Sequence, residues 1–217
     1  MPSRKLAAAY VRARIAGASL LLALFFAEVS VAGCPSFDAS QWKDQRVIDD
    51  VKVSTYGSPI PNVRSELTIA AAARDVLRAT TDYDRLAGVL PRLEESEVES
   101  DDGRVMQVRQ RLSMPAFISD RSFRIRVERH RESSHRYIVA FCLVDATEQI
   151  SDGEFVVPAE FYGRWTITAQ EAETSLVVHE VRMDPGGKIP KWLVGASIAD
   201  DVPALMHAIA RHIETFR

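Results

Sequence analysis

The stretch from Ile189 to Phe216 constrains the fold more than any other part of the chain. Its apolar residues Val202, Leu205, Met206, Ile209, Ile213 and Phe216 follow one another at steps of three, one, three, four and three, which sets them on one stripe of a 3.6-residue helix. That stripe must be covered. Asp201, His207, Arg211 and Glu214 fall on the other face, where water suits them. Asp184-Pro185-Gly186-Gly187 supplies a turn ahead of the helix, and Pro190 suits a first helical position, where no backbone donor is needed. Asp200-Asp201 followed by Pro203 predicts a kink midway, because a proline inside a helix removes a donor and crowds the preceding turn. A single long amphipathic helix placed after many short strands predicts a sheet curled around it.

Ahead of the helix, most of the chain has the periodicity of strands. Phe37 to Gln45, with Trp42, reads as a short opening helix that packs through its aromatic residues. Val51 to Thr55 and Val63 to Ile69 alternate apolar with polar on either side of Gly57-Ser58-Pro59 and Pro61-Asn62, which reads as a hairpin. From Ala70 to Leu90 the spacing turns helical, predicting two short helices joined near Thr80-Thr81-Asp82 with Asp82 as a cap, and Pro91 ends them. Strands return over Leu93 to Glu99, Val105 to Met114 before Pro115, Arg121 to Arg131, Tyr137 to Val144, Phe161 to Thr168 and Leu176 to Met183, with a polar loop at Ser151-Asp152-Gly153. In the third of these, Phe123, Ile125 and Val127 lie on one face and Arg124, Arg126 and Glu128 on the other. Tyr137 to Val144 is apolar on both faces, as an interior strand is. With no polar linker between them, these elements are expected to form one α+β domain from about Phe37 to Arg217.

The first 33 residues have the parts of an export signal: basic Arg4, Lys5, Arg12 and Arg14, the apolar run Ile15 to Ala27, then small residues. The run falls short of the roughly 20 residues that span a bilayer. Val31-Ala32-Gly33-Cys34 resembles a lipobox, in which Cys34 is lipidated and becomes the N-terminus, while Ser30-Val31-Ala32 suits an ordinary signal peptidase. Either reading places the protein outside the cytoplasm, in the periplasm or tethered to a membrane facing it as a lipoprotein. Removing the signal leaves 23 basic and 29 acidic side chains of the 27 and 30 in the full chain, a net charge of about −6. Nucleic acid is excluded as a partner, since phosphates demand a basic face. Two cysteines, Cys34 and Cys142, make no disulfide framework, and with Cys34 lipidated Cys142 reads as a small buried hydrophobe.

Asp184-Pro185-Gly186-Gly187-Lys188-Ile189-Pro190-Lys191-Trp192-Leu193-Val194, preceded by Gly163-Arg164-Trp165 and the run Val177 to Met183, resembles the C-terminal half of bacterial START-domain lipid-binding proteins of the helix-grip (SRPBCC) superfamily. Met114-Pro115 and Ser119-Asp120-Arg121-Ser122-Phe123 are similar to the family's proline and Ser-x-Arg-Asp-Phe segment. Two positions depart from it: Ser122 stands where the family often has Asp, and Leu86 stands where it often has a tryptophan. The resemblance implies a helix-grip fold, a curved antiparallel sheet around the C-terminal helix, with an apolar tunnel for one lipid or sterol-like molecule. It implies a monomer that meets a membrane surface.

Strand phase marks candidate walls for such a cavity. Phe123, Ile125 and Val127 share a face, as do Trp165 and Ile167, and Val177, His179, Val181 and Met183. Trp192, Leu205, Met206 and Ile209 would meet them from the helix. The same residues suit a filled core. His179 sits among apolar neighbours either as a satisfied core histidine or as a neutral imidazole that bonds a ligand head group. His130 with His135, and His207 with His212, lack the i, i+4 facing geometry of a helical zinc site, so neither metal nor cofactor is expected. No Gly-x-Ser-x-Gly, Walker or dinucleotide pattern occurs, and Gly186-Gly187 reads as a turn. Arg121, Arg124, Arg126, Arg129 and Arg131 form either a basic patch or, with Glu94, Glu95, Glu97 and Glu99, ion pairs across an outer sheet surface. The expected function is binding, without catalysis, of a lipid or other hydrophobic ligand by an exported protein that transfers it between envelope membranes. Two rivals remain: a helix-grip cyclase or hydrolase using His179 or Glu160 as base, and an envelope interaction module with a filled core.

Overall fold

A computed structural model of the protein describes residues 33–114, 118–145, 155–189 and 191–216, with only the backbone for residues 44 and 191–200. The expected export signal up to Ala32 therefore lies outside the described residues, as do Pro115, Ser151-Asp152-Gly153, Pro190 and the side chain of Trp192. Among the described residues one antiparallel sheet contains β1 (Lys43–Ile48), β2 (Val51–Tyr56), β3 (Asn62–Ile69), β4 (Leu93–Asp101), β5 (Val105–Leu112), β6 (Arg121–Arg131), β7 (Arg136–Leu143), β8 (Glu160–Glu171) and β9 (Thr174–Asp184). Helix α1 (Ala73–Thr81) and a 3₁₀ turn at Tyr83–Arg85 separate β3 from β4, and α2 (Lys191–Glu214) follows β9. Strand order across the sheet is β1-β2-β3-β9-β8-β7-β6-β5-β4. The chain thus leaves β3 through α1, crosses to the far edge, and meanders back until β9 pairs with β3, where Ser65 faces His179 and Leu67 faces Val177. This is an α+β helix-grip fold, a large curved sheet holding a C-terminal helix.

The inward phase of the strands and the stripe of α2 meet in one core. Val202, Met206, Ile209 and Ile213 are buried at steps of four, three and four, and they pack with Val51, Val53, Val63, Phe123, Ile125, Val127, Ile167 and Val177. Leu205 and Phe216 lie half-buried at the margin of the stripe. Pro203 is inside α2, and the helix runs through it unbroken. The far end of α2 is fixed to α1. His212 Nε2 lies 3.3 Å from an Asp82 carboxylate oxygen, and the Phe216 ring lies 4.3 Å beneath the Arg78 guanidinium. Asp82 therefore acts as a partner for α2 and makes no side-chain cap on the 3₁₀ turn.

Two features differ from the sequence expectation. The opening helix is only a 3₁₀ turn at Ala39–Gln41, and the residues after it form β1, an edge strand. Asp49 and Asp50 both adopt positive φ, 47° and 64°, the paired left-handed conformation of a two-residue hairpin turn that aspartate tolerates. His207, expected to face water, clamps this turn: its Nε2 is 2.9 Å from the Asp49 carbonyl and 3.1 Å from an Asp50 carboxylate oxygen. The second difference is on the outer face of the sheet. Phe37 packs on Tyr162 at 5.3 Å and Trp42 on Tyr56 at 4.6 Å, so the opening segment forms an aromatic strap. Its start is joined to β7 by a Cys34–Cys142 disulfide with Cα atoms 5.5 Å apart. The disulfide and the expected lipidation of Cys34 are mutually exclusive, because a sulfur bonded to another sulfur has no thiolate left to carry a thioether-linked lipid. Cys142 is buried, as a disulfide half rather than a free hydrophobe.

The arginines divide. On the outer face Arg109 pairs with Glu97, Arg111 with Glu94 and Glu95, and Arg124 with Glu99, an ion-pair lattice over β4 to β6, while Arg129 pairs with Asp101 on the inward phase of the strands, near Tyr83. Arg124 holds the Glu99 carboxyl below its ordinary range by hydrogen bonding to the charged form. Arg121 is different, at 1% exposure.

Candidate ligand cavity

Between the sheet and α2 the core leaves a cavity of about 180 Å³. Its sheet wall includes Gln110, Leu112, Ile125, Phe141, Phe161, Trp165, His179, Val181 and Met183, and its helix wall includes Val202, Leu205 and Ile209. Thr80, Tyr83 and Leu86 come from α1 and the turn after it, Leu90 to Arg92 from the loop that leads into β4, and Leu93 from the start of β4. Register places Leu93 opposite Leu112, Leu112 opposite Arg121 and Phe161 opposite Met183, so the cavity extends toward one end of the sheet, where α2 departs.

A run of rings lies along the inner face of the sheet, with Phe141, Phe161, Trp165 and His179 on the cavity wall. Phe123 meets Phe161 edge-on at 5.2 Å, Phe161 meets Phe141 at 5.3 Å, and the His179 imidazole stacks on Trp165 at 4.1 Å with 27° between planes. Gly163 makes this possible, since a Cβ there would stand 2.4 Å from the Phe141 ring and 2.6 Å from the Glu180 carbonyl oxygen.

His179 is the residue at odds with the apolar wall. It is 3% exposed, its Nδ1 is buried without a hydrogen-bond partner, and burial drives its pKa down to about 3, so the ring is neutral at pH 7. Among the described residues nothing bonds Nδ1, so the chain itself does not supply the partner that a satisfied core histidine has. Other polar wall groups are engaged or uncharged. The Thr80 hydroxyl donates to the Val76 carbonyl at 3.0 Å, Gln110 reaches the Ser96 hydroxyl at 3.5 Å, and burial pushes the Tyr83 phenol upward, keeping it protonated.

At the mouth, Arg92 Nε donates to an Asp201 carboxylate oxygen at 2.9 Å, joining the loop before β4 to α2 across the opening. Arg92 has φ 62°, and its carbonyl accepts from the Ser113 backbone at 2.8 Å, which holds the strained conformation in place. Beside the mouth, the buried Arg121 guanidinium donates to the carbonyls of Pro185 at 2.7 Å and Gly186 at 3.0 Å, and also to that of Ser119. Gly186 and Gly187 have φ of 66° and 72°, so the turn into α2 is left-handed and is tied to the head of β6. Arg121 is thus an internal clamp rather than part of a basic surface.

Of the residues expected at the cavity, Ile125, Trp165, His179, Val181, Met183, Leu205 and Ile209 line it. Phe123, Val127, Ile167, Val177 and Met206 are buried in the packed core instead, because inward phase alone does not separate a wall from its filling. Glu160, the other candidate base, is not on the wall; it is exposed and accepts from Arg182 at 2.6 Å. Phase and apolar character in β5 and β7 could have found Leu112 and Phe141. Leu90 to Arg92 come from a loop, which carries no such signal, and Leu93 opens β4.

Residues 69–210 match the family described as polyketide cyclase / dehydrase and lipid transport. The chain belongs to that family. No curated protein matches the chain. Among solved structures, it is similar to a STAR-related lipid transfer protein from Xanthomonas axonopodis, with 22% identity and a TM-score of 0.72 over 80% of this chain and 99% of that one. Human STARD10 gives 13% identity and 0.74 over 84% and 76%. Human StAR-related lipid transfer protein 5 gives 17% identity and 0.69 over 82% and 89%. Identities this low carry the fold alone. Within the fold shared with these START-type structures, the departure at Leu86 falls on the cavity wall, where a leucine fills less space than a tryptophan.

Proposed function

We propose that the protein binds a lipid or other hydrophobic molecule in this cavity and, once exported, carries it between membranes of a bacterial envelope. The observation that supports this reading is the apolar chamber between sheet and α2, where a well-packed core would leave no such space. Hiding about 200 Å² of ligand surface there contributes about 5 kcal/mol, at about 25 cal/mol per Å². The chamber is close in size to engineered cavities of about 150 Å³ that admit a single benzene. A longer lipid therefore needs α2 and the loop before β4 to part, which suits a carrier that opens at a membrane surface.

Binding rather than turnover is the proposed role because aromatic rings flank His179 where a general base would need a proton donor or an orienting carboxylate. Export is supported by the Cys34–Cys142 disulfide, since such bonds persist in oxidising compartments such as the periplasm. Protein isolated from its native envelope, extracted with organic solvent and analysed by mass spectrometry, should yield a hydrophobic species in near-equimolar amount. Extracts with no such species, together with failure to move lipid between vesicles, would sink the reading. The mature chain should begin at Gly33 or Cys34 on intact-mass analysis, and a retained Met1 would defeat export.

A further inference from the structure

We infer that the cavity selects an uncharged, ring-bearing hydrophobe carrying a hydroxyl or carbonyl oxygen, and that the imidazole of His179 is the group that reads this oxygen. The inference rests on the proposed ligand-binding role and narrows it to a chemical class.

Four observations carry it. His179 is the middle residue of β9, placed in the sheet's interior with Ser65 on one side and Trp165 on the other, so it is far from the strand ends and from water. A neutral imidazole holds one donor and one acceptor, and leaving either unmet in an apolar surrounding is costly. Here Nδ1 is unmet. A ligand oxygen at the ring supplies what the protein withholds, and a hydroxyl satisfies either tautomer because it both gives and accepts a hydrogen bond.

Charge decides what kind of oxygen this is. The low pKa of His179 means that the ring stays neutral beside any ligand at physiological pH, so it offers no counter-charge to a carboxylate or phosphate. The charged wall residues Arg92 and Asp201 neutralise each other at the mouth. An anionic head drawn inside would lose its hydration without gaining a counter-charge, which disfavours it against an uncharged oxygen. The shape follows from the rings. His179 is stacked on Trp165, and Phe141 lies beyond it at 6.2 Å, so a flat ring can lie along the same surface.

The probes are naphthalene, 2-naphthol and 2-naphthoate, measured by equilibrium dialysis against the disulfide-bonded protein at neutral pH. Naphthol should bind about tenfold more tightly than naphthalene, the factor one net hydrogen bond supplies, and naphthoate should bind least. In His179→Leu the naphthol and naphthalene affinities should converge. Equal affinities in the unmodified protein, a preference for naphthoate, or an unchanged naphthol preference in the leucine variant would each overturn the inference while leaving hydrophobe binding intact. Failure of all three to bind would overturn the ligand-binding role itself. Should the variant not fold, the order of the three affinities in the unmodified protein still supports or overturns the inference.

Discussion

The neutral state of His179 has a consequence for stability as well as for binding. Its pKa is about 3 when folded, against an ordinary 6.5, so between these values the unfolded chain binds more protons and stability rises with pH. Above pH 6.5 this contribution is complete. It is lost progressively as pH falls, with a limiting slope of about 1.4 kcal/mol per pH unit. Urea unfolding at pH 7 and pH 5 should therefore show a loss of about 2 kcal/mol that is absent in His179→Leu, read as the difference between the two proteins so that other histidines cancel. Equal losses in both would show that the imidazole is not desolvated. Gly163 gives a second test at this scale. A methyl group in Gly163→Ala would drive into the Phe141 ring and a backbone carbonyl, and such overpacking typically costs about 1–3 kcal/mol. Thermal unfolding should show that loss, and adding Phe141→Leu should return part of it, since removing the ring clears one of the two collisions.

At the scale of elements, the helix stripe and the alternating strands were plain in the sequence because burial imposes period on them. Arg121 shares the inward phase of Phe123, Ile125 and Val127 in β6, a signal that is lost when it is grouped with the other arginines of the strand, and its three backbone acceptors are its internal task. β1 was hidden for the opposite reason. Lys43 to Ile48 is a sheet edge without alternation, and its one local signal was the Asp49-Asp50 turn. The cavity was legible only in part, because its mouth depends on a loop and on a pairing between residues 109 positions apart, Arg92 and Asp201. That pair is about two-fifths exposed, so it contributes at most about 1 kcal/mol to stability. Its position across the opening gives it leverage over access instead. Asp201→Asn should leave the unfolding midpoint nearly unchanged and speed release of bound naphthol several-fold in stopped-flow dilution, because opening no longer breaks an ion pair. Unaltered release would move the route of access away from this mouth.

On the scale of the whole molecule, the two faces of the sheet have separate tasks, and the boundary between them is sharp. Along β8 the inward Trp165 lines the cavity and the inward Gly163 makes room for the Phe141 ring, while the neighbours Tyr162 and Arg164 face outward and carry the strap, with Phe37 lying 5.9 Å from the Arg164 guanidinium. Cys142 faces the same way, next to the inward Phe141. The disulfide closes a loop of 108 residues that takes in β1 to β6 and α1, so breaking it frees most of the unfolded chain without removing a cavity residue. Loop-closure entropy of that size corresponds to about 2–5 kcal/mol. The double variant Cys34→Ser with Cys142→Ser should accordingly lose about that much stability in urea unfolding, and the unmodified protein should lose a similar amount on adding dithiothreitol. Affinity for naphthol by equilibrium dialysis should stay within about twofold under conditions where both forms are folded, because no wall group has moved. A large drop in affinity in the folded variant would mean that the strap shapes the cavity through the sheet; an unchanged urea midpoint would mean that the aromatic contacts of Phe37 and Trp42 hold the strap without the covalent link.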